Sequence, residues 1–153
     1  KAQTDFGFLG TYNKNRGNIP FERFFLGGDG MMQYALDGRE TIALRGYENQ
    51  SLSSQNGSII YNKFSLELRY PVSLKPTASV FALSFLEAGN GFDDFKDYNP
   101  FDVKRSAGIG VRVFMPAFGL LGIDFGYGFD SSDFSNTGQP SGWQTHFVIG
   151  QQF

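Results

Sequence analysis

Apolar positions alternate with small or polar ones in segment after segment of this chain, a period of two that marks strands with one face against an apolar medium. The clearest case runs from about Leu120 to Asp130. Leu121, Ile123, Phe125, Tyr127 and Phe129 hold one parity there, and Gly122, Asp124, Gly126, Gly128 and Asp130 hold the other. From about Lys104 to Pro116, Ala107, Ile109, Val111, Val113 and Met115 alternate with Ser106, Gly108, Gly110 and Arg112, with Phe114 the exception. Between Ser58 and Val72, Ile60, Phe64, Leu66, Leu68 and Tyr70 oppose Tyr61, Lys63, Ser65, Glu67 and Arg69. Near the start, Phe6, Phe8 and Tyr12 oppose Gln3, Asp5, Gly7 and Thr11. Towards the end, Trp143, Phe147, Ile149 and Phe153 oppose Gln144, His146, Gly150 and Gln152.

A sixth strand, from about Thr77 to Ala88, breaks the rule, because Phe81, Leu83 and Phe85 share the parity of Glu87. If Glu87 points to the polar side, those apolar groups need a surface to pack on. The stretch from Asn13 to Gly57 can supply it. It is too long for a hairpin connection and carries the turn signals Gly27-Gly28-Asp29-Gly30 and Asp37-Gly38, so it is expected to fold inward. Pro71 to Pro76 and Pro116 to Gly119 are expected as tight turns, and Gly89 to Val103 and Ser131 to Ser141 as longer polar connections. Short connections on one side and long ones on the other fit an all-β, antiparallel transmembrane barrel segment.

Composition sharpens this picture. Aromatic residues make up 17% of the 153 residues, 18 of them phenylalanine, and charged residues only 18%, below the quarter or so usual in soluble domains. A net charge of −2 offers nucleic acid no basic face. Cysteine is absent, which excludes a disulfide framework, and one histidine, His146, reads as a polar lumenal residue rather than a metal ligand. No apolar run approaches the ~18 residues of a spanning helix. Lys1 to Asp5 lacks the apolar centre of a secretory signal, so the chain is expected to be an excerpt, a processed form or part of a split barrel. Glu67 and Glu87 have no nucleophile or metal set beside them, which argues against an enzyme. Asp93, Asp94, Asp97 and Asp102 lack the spacing of a calcium loop and read as a solvated outer connection.

Several motifs then occur in a telling order. Phe21-Glu22-Arg23-Phe24-Phe25-Leu26-Gly27-Gly28 precedes Leu44-Arg45-Gly46-Tyr47, followed by Ser65-Leu66-Glu67-Leu68, Phe85-Leu86-Glu87-Ala88-Gly89, Ser106-Ala107-Gly108-Ile109-Gly110 and the terminal Gly150-Gln151-Gln152-Phe153. Across essentially its whole length the chain thereby resembles the C-terminal part of the BamA family, which inserts β-barrel proteins into the bacterial outer membrane. The resemblance implies the last six or so strands of a barrel of about sixteen, with residues 13–57 as a loop folded into the lumen and residues 58–153 as the last five strands. It implies that Arg45 belongs to the family's arginine-glycine-aromatic loop motif, that Glu67 and Glu87 are its inward acidic partners, and that Gly150 and Phe153 belong to the closing strand that borders a lateral gate and carries its terminal signal. The implied partners are the lipid bilayer, nascent barrel clients, accessory lipoproteins, and the remaining barrel with its POTRA domains upstream. No cofactor is implied.

Six strands do not close a barrel, and open edges in hydrocarbon leave backbone groups unpaired. Other readings remain alongside. TamA-like and two-partner-secretion translocators share the arginine loop. A patatin-like surface enzyme could carry a similar barrel behind its catalytic domain. A further hairpin within Phe21 to Tyr47 would give a small eight-strand structural or adhesion barrel.

Overall fold

A computed structural model describes residues 1–10, 23–30, 40–75, 78–116, 119–132 and 138–150. Among these residues there are strands, turns and loops and no helix. Six strands form one antiparallel sheet in the order β1 (Ala2–Phe8), β4 (Ile60–Lys75), β5 (Ala78–Phe92), β6 (Lys104–Met115), β7 (Gly119–Gly128) and β8 (Gly142–Gly150). Neighbours in that order follow one another in the chain except at β1–β4, where the long segment is interposed. Each other pair is a simple up-and-down connection.

The alternation sets which face is which. Leu68, Tyr70, Ile109, Phe147 and Trp143 are exposed on one face, a contiguous apolar surface far beyond what a soluble domain leaves to water. On the other face Glu67, Arg112, Asp124 and His146 are nearly inaccessible. A sheet with a dry, apolar exterior and a polar, filled interior is a segment of transmembrane barrel wall.

Boundaries shift where local chemistry bends the expected turns. The tight turn expected over Pro71 to Pro76 is strand as far as Lys75, with a register shift between Pro71 and Ser73. Proline has no N–H to give to a ladder and is tolerated at such a bulge. β5 runs on to Phe92 rather than Ala88, while β7 stops at Gly128, short of Asp130. At the far end of β5 the outer face is not bare. Tyr98 sets its ring edge-on to Phe8 and Phe92, at 5.7 and 5.3 Å, and the Asn62 amide donates to the Pro100 carbonyl at 3.0 Å. The connection after β5, expected as a solvated loop, therefore folds back over the outer face with Tyr98 and Pro100 while its aspartates stay exposed.

Within the long segment lie β2 (Phe24–Leu26) and β3 (Glu40–Ile42), paired in parallel as a sheet of their own. A parallel pair is not a hairpin, and in the described residues neither strand joins the six-stranded wall, so β2 and β3 do not supply the hairpin that the eight-strand barrel reading requires. This small sheet buries Leu26, Leu44, Tyr47 and Leu52 against Tyr61 of β4, with Phe24 packed alongside. Tyr61 lies on the inner face, and Phe24 meets its ring at 4.7 Å. The segment thus docks on the inner wall through an apolar core.

Candidate functional site

The docked segment brings Leu44, Arg45, Gly46 and Tyr47 to the inner wall. Leu44 is fully buried and bridges to Gly28, which fixes the chain just before the arginine. Gly46 has φ +89°, a left-handed conformation that glycine adopts without strain. Its lack of a side chain also matters, since a Cβ there would come within 2.8 Å of the Ser106 Cβ and 3.0 Å of the Tyr127 carbonyl carbon. Tyr47 is fully buried, and its hydroxyl donates to the Arg105 carbonyl at 2.7 Å. Burial pushes that phenol up to about 12, so it remains a donor.

Arg45 is held on several sides. Its Nε and Nη2 donate to Glu87 Oε1 at 3.0 and 2.6 Å, and its backbone N–H donates to Glu87 Oε2 at 2.8 Å. Nη1 lies 3.0 Å from Glu67 Oε2 and 3.1 Å from Asp124 Oδ2. Beneath the guanidinium, 3.8 Å from its central carbon, lies the Phe85 ring. Burial opposes the charge on Arg45, but Glu87 and then Asp124 outweigh it and leave its pKa raised. Planar forked donors match this arrangement of carboxylates in a way a lysine could not. The three carboxylates come from β4, β5 and β7, so one side chain ties three strands of wall to the loop.

Asp124 and its partner Arg112 were not among the residues singled out by sequence. Arg112 Nη1 and Nη2 each donate to an Asp124 oxygen at 2.6 Å. A legible signal existed: each is a charged residue on the inward parity of its strand, next to glycines at the same parity. The β6–β7 register sets Arg112 opposite Gly122 and Asp124 opposite Gly110, and a Cβ at either glycine would run into the charged side chain facing it. Gly108 likewise faces Phe85. This resolves the parity exception in β5, because Phe85 turns inward to lie under Arg45. Glu67 is shared, accepting from Arg69 Nε at 2.6 Å.

The loop tip rests on β7. A Cβ on Gly126 would sit 2.7 Å from the Gly46 nitrogen, and one on Gly128 would meet the Gly46 carbonyl oxygen. His146, on β8, accepts the Gly46 N–H on Nε2 at 2.9 Å. A polar cavity of about 460 Å³ lies beside the cluster, bordered by Arg45, Glu67, Arg112 and His146. Gly150 lies further along β8, apart from this cluster, paired with Leu120 at φ +139°. Among the described residues a Cβ there would meet nothing, so backbone conformation is what glycine serves. Phe153 lies outside the described residues, as do Phe21, Glu22 and the Asp37-Gly38 turn.

An antiparallel wall with an apolar exterior, and a loop pinned to its interior through an arginine, define the chain as part of an outer-membrane β-barrel with a lumenal loop. The Omp85 superfamily domain model matches residues 1–153, and the chain belongs to that superfamily of outer-membrane barrels engaged in protein insertion or translocation. The search of curated proteins found no significant match.

Proposed function

We propose that this chain is the C-terminal wall of a BamA-like insertase, which assembles β-barrel clients into the bacterial outer membrane at a seam beside β8. The observation that carries the reading is Arg45, bound to Glu67 and Glu87 on the inner wall of an Omp85 domain. A client strand must satisfy its backbone hydrogen bonds before it meets lipid. In the described residues β8 pairs only with β7, so its other edge is a template for a strand of the same barrel or of a client. Gly150, with its left-handed φ and no packing contact for a side chain, weakens the end of that edge.

In this reading the loop is a brace. Arg45 holds it to β4, β5 and β7 while the seam moves. The work is mechanical rather than catalytic, with Glu67, Glu87 and Asp124 each engaged by a cation. The remaining strands of a barrel of about sixteen, POTRA domains and accessory lipoproteins complete the machine.

The test is Arg45→Ala in the intact outer-membrane protein, reconstituted in liposomes with an unfolded barrel client. Client insertion, read as heat-resistant migration and protease protection, is expected to fall at least tenfold. Undiminished insertion by Arg45→Ala would overturn the brace, and no insertion by the native protein would overturn the insertase reading. Passage of a soluble secreted protein without any insertion of barrels would instead assign a translocator.

A further inference from the structure

His146 stands directly opposite Asp124 in the β7–β8 register, and both side chains are buried on the inner face. Each holds a different residue of the loop tip. Asp124 takes the Arg45 guanidinium at 3.1 Å, and His146 takes the Gly46 backbone N–H at 2.9 Å. One cross-strand pair therefore grips two successive residues, the first by its side chain and the second by its main chain.

The chemistry of that second grip is specific. Gly46 is pressed against β7 with its N–H turned to the wall, and a buried N–H without an acceptor costs as much as a lost hydrogen bond. A neutral imidazole offers one acceptor nitrogen at the end of a flat ring. The carboxylates nearby are already committed to Arg45, Arg69 and Arg112.

Position gives the contact its meaning. Glu67 and Glu87 sit on β4 and β5, well inside the sheet, and leave the loop indifferent to the placement of the edge strand. In the described residues β8 is the terminal strand of that sheet. His146 is the side chain through which β8 itself reaches the loop tip.

We propose that His146 is a positioning residue that latches β8 to the loop tip, so that displacement of β8 and release of the Gly46 amide are one event. The latch is a property of the wall and loop; its use in opening a seam for clients rests on the insertase reading above.

Hydrogen exchange tests it in the intact outer-membrane protein held in lipid nanodiscs. His146→Gln keeps an acceptor oxygen, whereas His146→Leu keeps bulk and loses the acceptor. In His146→Leu, peptides covering residues 44–49 are expected to exchange roughly tenfold faster, the factor for one lost hydrogen bond of about 1.4 kcal/mol. Peptides over 85–89 should stay protected, and His146→Gln should remain within about twofold of the native protein by the same reckoning. Equal exchange in all three proteins would overturn the latch, as would Gln behaving like Leu.

A second measurement covers the case in which His146→Leu does not fold. Gly126→Ala pushes on the loop tip while leaving every β8 residue intact, and faster exchange is then expected in 142–150 as well as in 44–49. Faster exchange in 44–49 alone would overturn the latch. Client insertion by the native protein decides the insertase reading and exchange decides the latch, so either can fail without the other.

Discussion

The two faces of this one sheet are built on opposite rules. Outside, Leu68, Ile109, Phe147 and Trp143 lie exposed, and any apolar group of fitting size serves where lipid is the solvent. Inside, Arg45, Glu67, Glu87, Arg112, Asp124 and His146 form a connected set in which each polar atom is placed for another. The outer face asks only for a class of residue. The inner face asks for particular residues in register, because a buried charge without its partner is costly while a lipid-facing leucine can be exchanged for another apolar group.

Substitutions on the two faces should separate these rules. The largest effect is expected inside, at Arg45→Ala. Removing it leaves Glu67, Glu87 and Asp124 without that cation, and a loss of about 3–5 kcal/mol is expected for breaking a buried pair. Protease sensitivity of residues 44–57 in the intact protein would report it, and an unchanged cleavage pattern would show that the loop is held by its apolar core alone.

Next is a charge placed on the outside. Ile109→Arg should cost about 2–4 kcal/mol near the bilayer midplane, read by urea unfolding in lipid vesicles, whereas Ile109→Leu should be near neutral. If the arginine variant unfolds at the native urea concentration, the exposed face is not the lipid face. Smaller again is Gly126→Ala inside. The added methyl meets the Gly46 nitrogen at 2.7 Å, and overpacking of this kind costs about 1–3 kcal/mol. Loosened protection is expected in 44–49, with 142–150 loosened alongside it as the His146 contact requires. The smallest effect is expected at Arg105→Gln, whose ion pair with Asp130 at 2.9 Å lies on an exposed part of the wall. No change in unfolding is expected, and a large one would mean that the Tyr47 contact to the Arg105 carbonyl depends on that side chain.

Much of the wall was legible in the chain because a strand's side chains alternate by geometry alone. Leu121, Ile123 and Phe125 against Gly122, Asp124 and Gly126 state both the strand and its two environments. Arg45 was legible through the family resemblance of its Leu44-Arg45-Gly46-Tyr47 motif and the inward parity of Glu67 and Glu87, since a loop cation by itself is mostly solvated. Less could be read where two segments meet. Phe85 could be expected to pack on the inward-folded stretch, but that it lies under the Arg45 guanidinium belongs to the docked loop. Pro71 looked like a turn because proline's missing N–H is a local fact, while the bulge that accommodates it belongs to the pairing with β5.

The sequence by itself determined that this protein is a sheet with a greasy side and a polar side, since a two-residue period needs no partner strand to be recognised. Only the tertiary structure decided that Asp124 and His146 share the loop tip with Glu67 and Glu87. Those contacts join Arg45 and Gly46 to residues many tens of positions away, and their choice depends on strand register and on which glycines leave room opposite. Neither quantity is local to any stretch of the chain.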